Sequence, residues 1–186
     1  MDESTVRYIV NVGAKDRVGI VADVADRLYD LGGNLEALSQ TVVWGWFTMI
    51  ICAAFPEKVS AKQIAGAVQA GGELSATVLP FEGVRPAPVE SGEPFVITAS
   101  GKDQPGIVRR LTRCFADKGI NIVDVWNEVR EGQFLVIFHV SMPPHVDPKD
   151  ARYDLEQAGT EAEVSVTFQH QDIFTATNSL QVHTKR

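Results

Sequence analysis

The chain has 186 residues, of which 45% are hydrophobic and 22% charged, and its formal net charge is −7. This composition is ordinary for a globular protein, and the length leaves open one large domain or two small ones. The acidic balance argues against nucleic acid as a direct partner.

The longest apolar run, from Trp44 to Phe55, is too short to cross a bilayer. With no apolar signal segment near Met1 and no CxxC spacing, we expect a cytoplasmic protein without a membrane partner or a metal site.

The first half of the chain predicts the element order strand, helix, strand, strand, helix, strand. Alternating apolar residues predict strands over residues 7–14, 35–43, 46–55 and 74–81. Apolar residues at helical spacing begin at Ile20, and a capping box between Ser60 and Gln63 opens the second helix. Gly45 is expected in the tight turn of a hairpin between the two central strands.

The second half of the chain repeats the first at a constant offset of 87 positions. Residues 8–81 align with residues 95–168 without a gap. Identical pairs include Lys15/Lys102, Asp16/Asp103, Gly19/Gly106, Gly32/Gly119, Asn34/Asn121 and Gly45/Gly132. Self-similarity that holds its register over a whole half indicates a duplicated folding unit.

Two segments fall outside the repeat. Residues 82–93 are rich in Pro, Gly and charge, which is typical of an extended linker. Residues 171–186 are polar and lack clear periodicity, so they are expected to form a C-terminal tail that either becomes ordered late or stays mobile. The sequence therefore predicts a first domain at residues 1–81 and a second domain at residues 94–170, joined by the linker.

The order βαββαβ predicts an α+β fold made of two ferredoxin-like units, each an antiparallel sheet with both helices on one face. The other face should be polar where it meets water. Instead, Leu135 and Ile137 make both faces of one strand apolar. We therefore expect the helix-free face to be covered by another sheet, within the chain or in a homodimer. Trp44 and Trp46 at a hairpin tip also favour packing over exposure to water.

A repeated phrase joins the first strand of each unit to its first helix. It reads Lys15-Asp16-Arg17-Val18-Gly19-Ile20-Val21 in the first unit and Lys102-Asp103-Gln104-Pro105-Gly106-Ile107-Val108 in the second. The Asp is a candidate N-cap, the Gly permits an unusual φ, and Pro105 suits the first helical turn. A helix N-terminus beside a residue without a Cβ suits a small anion. Capping alone is the plainer interpretation of either copy.

These phrases, with a second motif, resemble the ACT domain, a regulatory module that senses small molecules, usually amino acids. The first unit has Asp16-Arg17-Val18-Gly19-Ile20 followed by Gly32-Gly33-Asn34-Leu35. The second has Asp103-Gln104-Pro105-Gly106-Ile107 followed by Gly119-Ile120-Asn121-Ile122. The resemblance covers nearly the whole chain, so we expect no catalytic domain beside the pair. It implies a non-enzymatic regulatory protein, without a cofactor, that binds an amino acid and acts on a partner protein, for instance in transcriptional control of amino-acid metabolism.

The resemblance also implies where the ligand binds, because in the family it lies between the first strand–helix turn of one domain and a neighbouring domain. The residues implicated by position are Asp103, Gln104, Pro105, Gly106, Ile107 and Asn121 in the second unit, and Asp16, Arg17, Val18, Gly19, Ile20 and Asn34 in the first. The second turn is the better candidate, because Val18 stands where the family usually has Pro. There we expect the helix N-terminus to receive the ligand's carboxylate, Asp103 to receive its ammonium group, and Asn121 to approach from the side. Both Asn residues have the alternative role of hydrogen-bonding their own turn.

Other proteins share this element order, so the fold alone does not assign a function. An acylphosphatase-like enzyme would need an Arg-bearing phosphate cradle before the first helix, for which Arg17 is a candidate. An RNA-binding module would need an aromatic signature on a basic surface, and a metal carrier would need two Cys in the first turn. The chain is acidic, lacks that signature and has no Cys in either turn phrase. The acylphosphatase-like enzyme and a purely structural interaction module stay open as alternatives.

Overall fold

The computed structural model describes residues 5–81, 83 and 92–182, and the chain divides into two compact units, Met1–Arg85 and Pro86–Arg186. The first unit consists of β1 (Thr5–Lys15), α1 (Ile20–Asp30), β2 (Asn34–Val43), β3 (Trp46–Pro56), α2 (Ala61–Gln69) and β4 (Ser75–Pro80). The second consists of β5 (Glu93–Lys102), α3 (Ile107–Asp117), β6 (Asn121–Arg130), β7 (Gln133–Met142), α4 (Pro148–Glu161), β8 (Val164–His170) and α5 (Gln171–Val182). The linker predicted at residues 82–93 lies largely outside the described residues, and the predicted domain boundaries stay predictions.

Each unit contains one four-stranded antiparallel sheet, with strand order β2-β3-β1-β4 in the first and β6-β7-β5-β8 in the second. Two-residue loops at the hairpin tips set the register. Trp44 and Gly45 have φ values of 53° and 77°, and Glu131 and Gly132 have 52° and 76°. Two successive positive φ values are typical of a type I′ turn, whose twist matches that of the flanking strands. The predicted hairpins and the predicted ferredoxin-like βαββαβ order are confirmed.

The helices cover one face of each sheet and bury one stripe of apolar side chains. The buried residues of the first helices are Ile20, Val24 and Leu28 in α1, and Ile107, Leu111 and Phe115 in α3. They repeat every four positions, which keeps them on the side facing the sheet. Val21 and Val108 are apolar but exposed, because each lies one position further round its helix than the buried stripe.

The second helix of each unit has a capped N-terminus, and the capping box predicted for the first unit is confirmed. The Ser60 backbone N–H donates to Oε1 of Gln63 at 2.9 Å, and the Gln63 backbone N–H donates to the Ser60 hydroxyl, which completes a capping box. In α4, the Asp147 carboxylate accepts from the backbone N–H of Lys149 at 2.8 Å, and Pro148 occupies the first helical position. Both arrangements satisfy donors that a helix N-terminus otherwise leaves free.

The C-terminal segment differs from the tail without regular structure that the sequence predicts, because Gln171–Val182 form a helix, α5. This helix lies against β5 and β8 on the sheet face opposite α3 and α4. The rings of Phe174 and His139 meet edge-to-face with centroids 6.1 Å apart, and Val96 on the same face is only 1% exposed. Among the α5 side chains that the structure describes, Phe174 alone is not exposed, so no apolar stripe marks this helix in the sequence.

The rest of the helix-free faces is less covered. Trp44 and Trp46 at the first hairpin tip are 96% and 59% exposed, and Leu135 and Ile137 are half-buried. The expectation that another sheet covers these faces stays a prediction.

Candidate ligand-binding site

The first helix of each unit starts from a glycine in the left-handed region. Gly19, with φ +86°, is the N-cap of α1, and Gly106, with φ +97°, is the N-cap of α3. No side chain caps either helix. Pro105 therefore precedes the N-cap instead of occupying the first helical position. The positive φ explains the glycine at both positions, since a side chain there would strain the backbone.

The predicted Asp N-caps are wrong. Asp16 and Asp103 lie four positions before the first helical residue, too early to reach the free N–H groups of the first turn. Their backbone N–H groups instead donate to hairpin-tip carbonyls, from Asp16 to Gly45 at 2.8 Å and from Asp103 to Gly132 at 2.9 Å. Each Asp thus helps to hold the strand–helix turn against the hairpin of its own unit.

The second turn borders a cavity of about 330 Å³. Its lining residues are Gln104, Pro105, Gly106 and Ile107 from the turn, Arg109, Arg110 and Arg113 from α3, and Glu161 and Ala162 from the end of α4. The volume is at the lower end of the range for small-molecule sites, roughly 300–1,000 Å³. The structure therefore brings four of the predicted ligand residues together at a place where a small metabolite fits.

The backbone beside this cavity offers unused hydrogen-bond donors. The N–H of Arg110 donates to the Gly106 carbonyl at 3.0 Å, which is the first bond of the helix. Within the described residues, the N–H groups of Ile107, Val108 and Arg109 donate to no capping side chain and to no turn carbonyl. A Cβ placed on Gly106 would meet nothing within 4 Å, so the backbone is open there. Free N–H groups at the positive end of a helix attract anions.

Side-chain contacts fix the two walls of the cavity. The Gln104 side-chain amide donates to the Ala162 carbonyl. Arg110 Nη1 lies 2.5 Å from Glu161 Oε2. These contacts connect the start of α3 to the end of α4, so they hold the cavity open between the two helices. Ile107 is buried in the core, and its backbone alone is available to a ligand.

Asn121 lies at the opposite end of the second unit. It pairs with Ser141, which lies opposite Pro94 near the start of β5, whereas the turn follows Lys102 at the end of β5. The intervening strand spans about 26 Å at ~3.3 Å per residue. Asn121 therefore cannot approach a ligand at this turn within the unit. Asp103 does not line the cavity either.

The first unit has the same geometry, so Asn34 is equally remote from its turn. Asn34 pairs with Ala54, which lies opposite Arg7 near the start of β1, whereas the turn follows Lys15. The two Asn residues of the repeated motif thus belong to the helix–strand junctions and not to the strand–helix turns.

The first turn also differs in its side chains. Arg17 Nη2 lies 2.5 Å from a carboxylate oxygen of Asp23 and 3.2 Å from one of Glu73. The hydrogen bond to Asp23 raises the pKa of the Arg17 guanidinium. Val18 is fully exposed, and Ile20 is buried in the core. A phosphate bound at this turn, as an acylphosphatase-like reaction requires, would have to displace two carboxylates from Arg17.

Comparison with known families explains why the two turns have the same backbone conformation. The ACT domain family matches residues 8–64 and, separately, residues 93–169. The chain is a tandem ACT-domain protein. ACT domains are regulatory, ligand-sensing modules, and a cavity at the strand–helix turn is consistent with that role.

Relatives of known sequence match the tandem ACT-domain protein over less than half of its length. A UPF0237 protein of Methanococcus maripaludis is 36% identical over 83 residues, which cover 44% of this chain and 92% of the relative. A UPF0237 protein of Methanocaldococcus jannaschii is 34% identical over 80 residues, covering 42% and 89%. The chain therefore belongs with the UPF0237 proteins over that length.

Two solved structures match both ACT units. A protein of unknown function from Galdieria sulphuraria is 24% identical, with a TM-score of 0.72 and coverage of 90% of this chain and 99% of that one. A protein named as a glycine cleavage system transcriptional repressor is 13% identical, with a TM-score of 0.66 and coverage of 89% and 96%. At these identities the likeness shows a common fold.

Four charged residues of the cavity were not predicted from the sequence, namely Arg109, Arg110, Arg113 and Glu161. Arg109 and Arg113 stand at positions i and i+4 of α3, so they share one side of the helix, and Arg110 lies one position further round. This spacing, directly after the repeated phrase, is the signal that would have found them. Glu161 comes from α4, 51 residues after Arg110, and only the fold brings it near.

Other kinds of site are not evident in the described part of the tandem ACT-domain chain. Over residues 5–81, 83 and 92–182, no helix combines the length and apolar character needed to cross a membrane. Within the same residues, no three His, Cys, Asp or Glu side chains cluster closely enough to hold a metal ion. Cys52 and Cys114 are free and half-buried, and burial raises the pKa of the Cys114 thiol. Both cysteines are therefore consistent with small packing residues.

Proposed function

We propose that this protein is a cytoplasmic regulator that binds a free amino acid at the second strand–helix turn and acts on a partner protein in the control of amino-acid metabolism. The observation that carries the proposal is the cavity of about 330 Å³ at that turn, where Gln104, Pro105, Gly106 and Ile107 meet. Binding would add contacts between the start of α3 and the end of α4, and so change the surface shown to the partner without any chemical step.

The amino acid's carboxylate is placed at the helix N-terminus. The free N–H groups of Ile107, Val108 and Arg109 supply donors, and the open backbone of Gly106 lets a ligand approach them. Glu161, which lines the same cavity, replaces Asp103 as the acceptor for the ammonium group. Its second carboxylate oxygen is available, because the contact with Arg110 uses Oε2.

A thermal-shift panel of the twenty common amino acids with the full chain tests the proposal. A ligand that binds the folded state alone stabilises it by about 2.7 kcal/mol at a hundredfold excess over Kd. We expect at least one amino acid to raise the melting temperature, and its amide, which lacks the carboxylate, to have little effect. An amide that binds as tightly as the free acid would contradict binding at the helix N-terminus.

Gly106→Leu and Gly19→Leu form a matched pair of variants. Both glycines have a positive φ and open space around a built Cβ, so the two changes should cost similar stability, about 1–2 kcal/mol each. We expect Gly106→Leu to abolish binding and Gly19→Leu to weaken it much less, with one ligand bound per chain in calorimetry. Equal losses in the two variants would contradict the assignment to the second turn.

A further inference from the structure

The cavity at the second turn has an unbalanced charge. Arg109, Arg110 and Arg113 line it with one carboxylate, that of Glu161, which pairs with Arg110. Among the described residues, the guanidinium groups of Arg109 and Arg113 have no hydrogen bond or ion pair. Two positive charges are therefore uncompensated at one small cavity, in a chain whose net charge is −7.

The fold does not require these arginines. At the offset of 87 positions, the first unit has Ala22, Asp23 and Asp26 where the second has Arg109, Arg110 and Arg113. The three Arg residues are exposed, and the buried stripe of α3 consists of other residues. Two units with the same backbone thus carry opposite charges beside the same turn, so packing does not account for the basic set.

A neutral zwitterion would leave this charge in place. Its carboxylate and ammonium group cancel, so the cavity would keep both uncompensated guanidinium groups after binding. Guanidinium groups bind carboxylates and phosphates with paired, charge-assisted hydrogen bonds, which makes a second anion the matching ligand group. A nucleic acid needs a broad basic surface, and the acidic chain and the small cavity favour a metabolite instead.

We propose, on the basis of the function proposed above, that the cavity takes an amino acid whose side chain ends in a second anion. The α-carboxylate lies at the N-terminus of α3, the ammonium group at Glu161, and the side-chain anion at Arg109 and Arg113. A carboxylate, as in aspartate or glutamate, and a phosphate, as in O-phosphoserine, are the two sources of this chemistry.

Isothermal titration calorimetry of the full chain with three pairs of ligands tests the proposal: glutamate and glutamine, aspartate and asparagine, O-phosphoserine and serine. The members of each pair differ mainly in the anionic side-chain group. We expect the anionic member of at least one pair to bind about tenfold more tightly, with an advantage that falls as salt is added. The pair with the largest difference identifies the anion as carboxylate or phosphate.

Arg109→Gln and Arg113→Gln test the residues directly. Glutamine keeps the helix propensity close to that of arginine, so folding should be unaffected, which circular dichroism checks. Each change should lower the affinity for the anionic ligand about tenfold and leave that of the neutral ligand unchanged. Arg152→Gln is the matched control, because Arg152 pairs with Glu156 on α4 and does not line the cavity.

The outcomes separate the two proposals. If an amino acid binds but its anionic and neutral forms bind alike, and both cavity variants behave as Arg152→Gln does, the second-anion proposal is wrong and amino-acid binding stands. If no member of the amino-acid panel and no member of the three pairs binds, the proposed function itself is wrong, and the second-anion proposal with it.

Discussion

Gly33→Ala tests whether the glycine motif at the end of α1 serves packing and not ligand binding. A Cβ on Gly33 would lie 2.5 Å from Phe55 Cε1 and 2.7 Å from the Leu28 carbonyl oxygen, far inside van der Waals contact. The backbone cannot move away freely, because the Gly33 N–H donates to that same carbonyl at 2.9 Å. Either the Phe55 ring must shift or the hydrogen bond must stretch.

Overpacking of this kind costs about 1–3 kcal/mol of unfolding free energy. For a unit of this size each kcal/mol lowers the melting temperature by about 4–8 °C. Differential scanning calorimetry of the full chain should therefore show the transition of the first unit displaced downwards by at least about 4 °C. Ligand binding at the second turn should be unchanged.

Gly66→Ala is the matched control in the same unit. Gly66 lies inside α2, is exposed, and a built Cβ there meets nothing within 4 Å. The same substitution should then raise stability, by about 0.5–1 kcal/mol, because glycine is unfavourable inside a helix. A neutral Gly33→Ala, or a Gly66→Ala that destabilises as much, would refute the packing argument.

The second unit supplies a rescue for the Gly33 variant. At the offset of 87, Ile120 and Met142 replace Gly33 and Phe55, and both are buried, at 5% and 2% exposure. The space that the Phe55 ring fills beside Gly33 in the first unit is thus divided between Ile120 and Met142 in the second. Adding Phe55→Met to Gly33→Ala should recover part of the loss, with a coupling energy of about 0.5–3 kcal/mol in a double-mutant cycle.

Three further predictions concern the caps, the charges and the exposed face. Ser60→Ala should lower the unfolding free energy by about 1 kcal/mol in urea titrations, because it removes the capping box of α2. The hydrogen bond from Arg7 lowers the pKa of Glu36, so its stabilisation is present above the unfolded-state pKa and is lost as pH falls through the folded one. In an NMR titration, Arg7→Gln should raise that pKa towards the usual value for glutamate. If the helix-free face forms the predicted homodimer, changing Trp44 and Trp46 to Ser should shift sedimentation towards the monomer, and a wild-type protein that sediments as a monomer would contradict it.

The fold was accessible from the sequence because its signals are local and doubled. The hairpin turn at Gly45, the capping box at Ser60 and the helix start at Pro148 each depend on residues within four positions of one another. The helix α5 was not accessible, because of its described side chains only Phe174 is withdrawn from solvent, through a contact with His139 that lies 35 positions earlier in the chain. A helix with a single withdrawn side chain among those described leaves no periodic pattern in the sequence.

The candidate site was accessible only in part, for the same physical reason. The turn residues Gln104 to Ile107 are contiguous in the sequence. Gly106, whose φ is positive, indicates where the backbone is open to a ligand. Asp103 was misassigned as the helix cap because the sequence does not show that Gly106 is the N-cap and that the helix begins four positions after Asp103. Asn121 was misplaced because the helix of eleven residues before it carries the chain to the far end of the sheet.

The comparison of the two halves separates the residues that the fold requires from the residues that a ligand can contact. Gly19 and Gly106 are identical because both backbones need the left-handed φ, and no side chain can relieve that need. The exposed positions beside them carry no such constraint, and there the halves reverse their charge, with Asp23 in the place of Arg110. Since exposed charges contribute little to stability, a reversal at the mouth of one cavity changes chiefly what can bind there. The differences between the two copies, more than their identities, therefore carry the ligand preference proposed for the second unit.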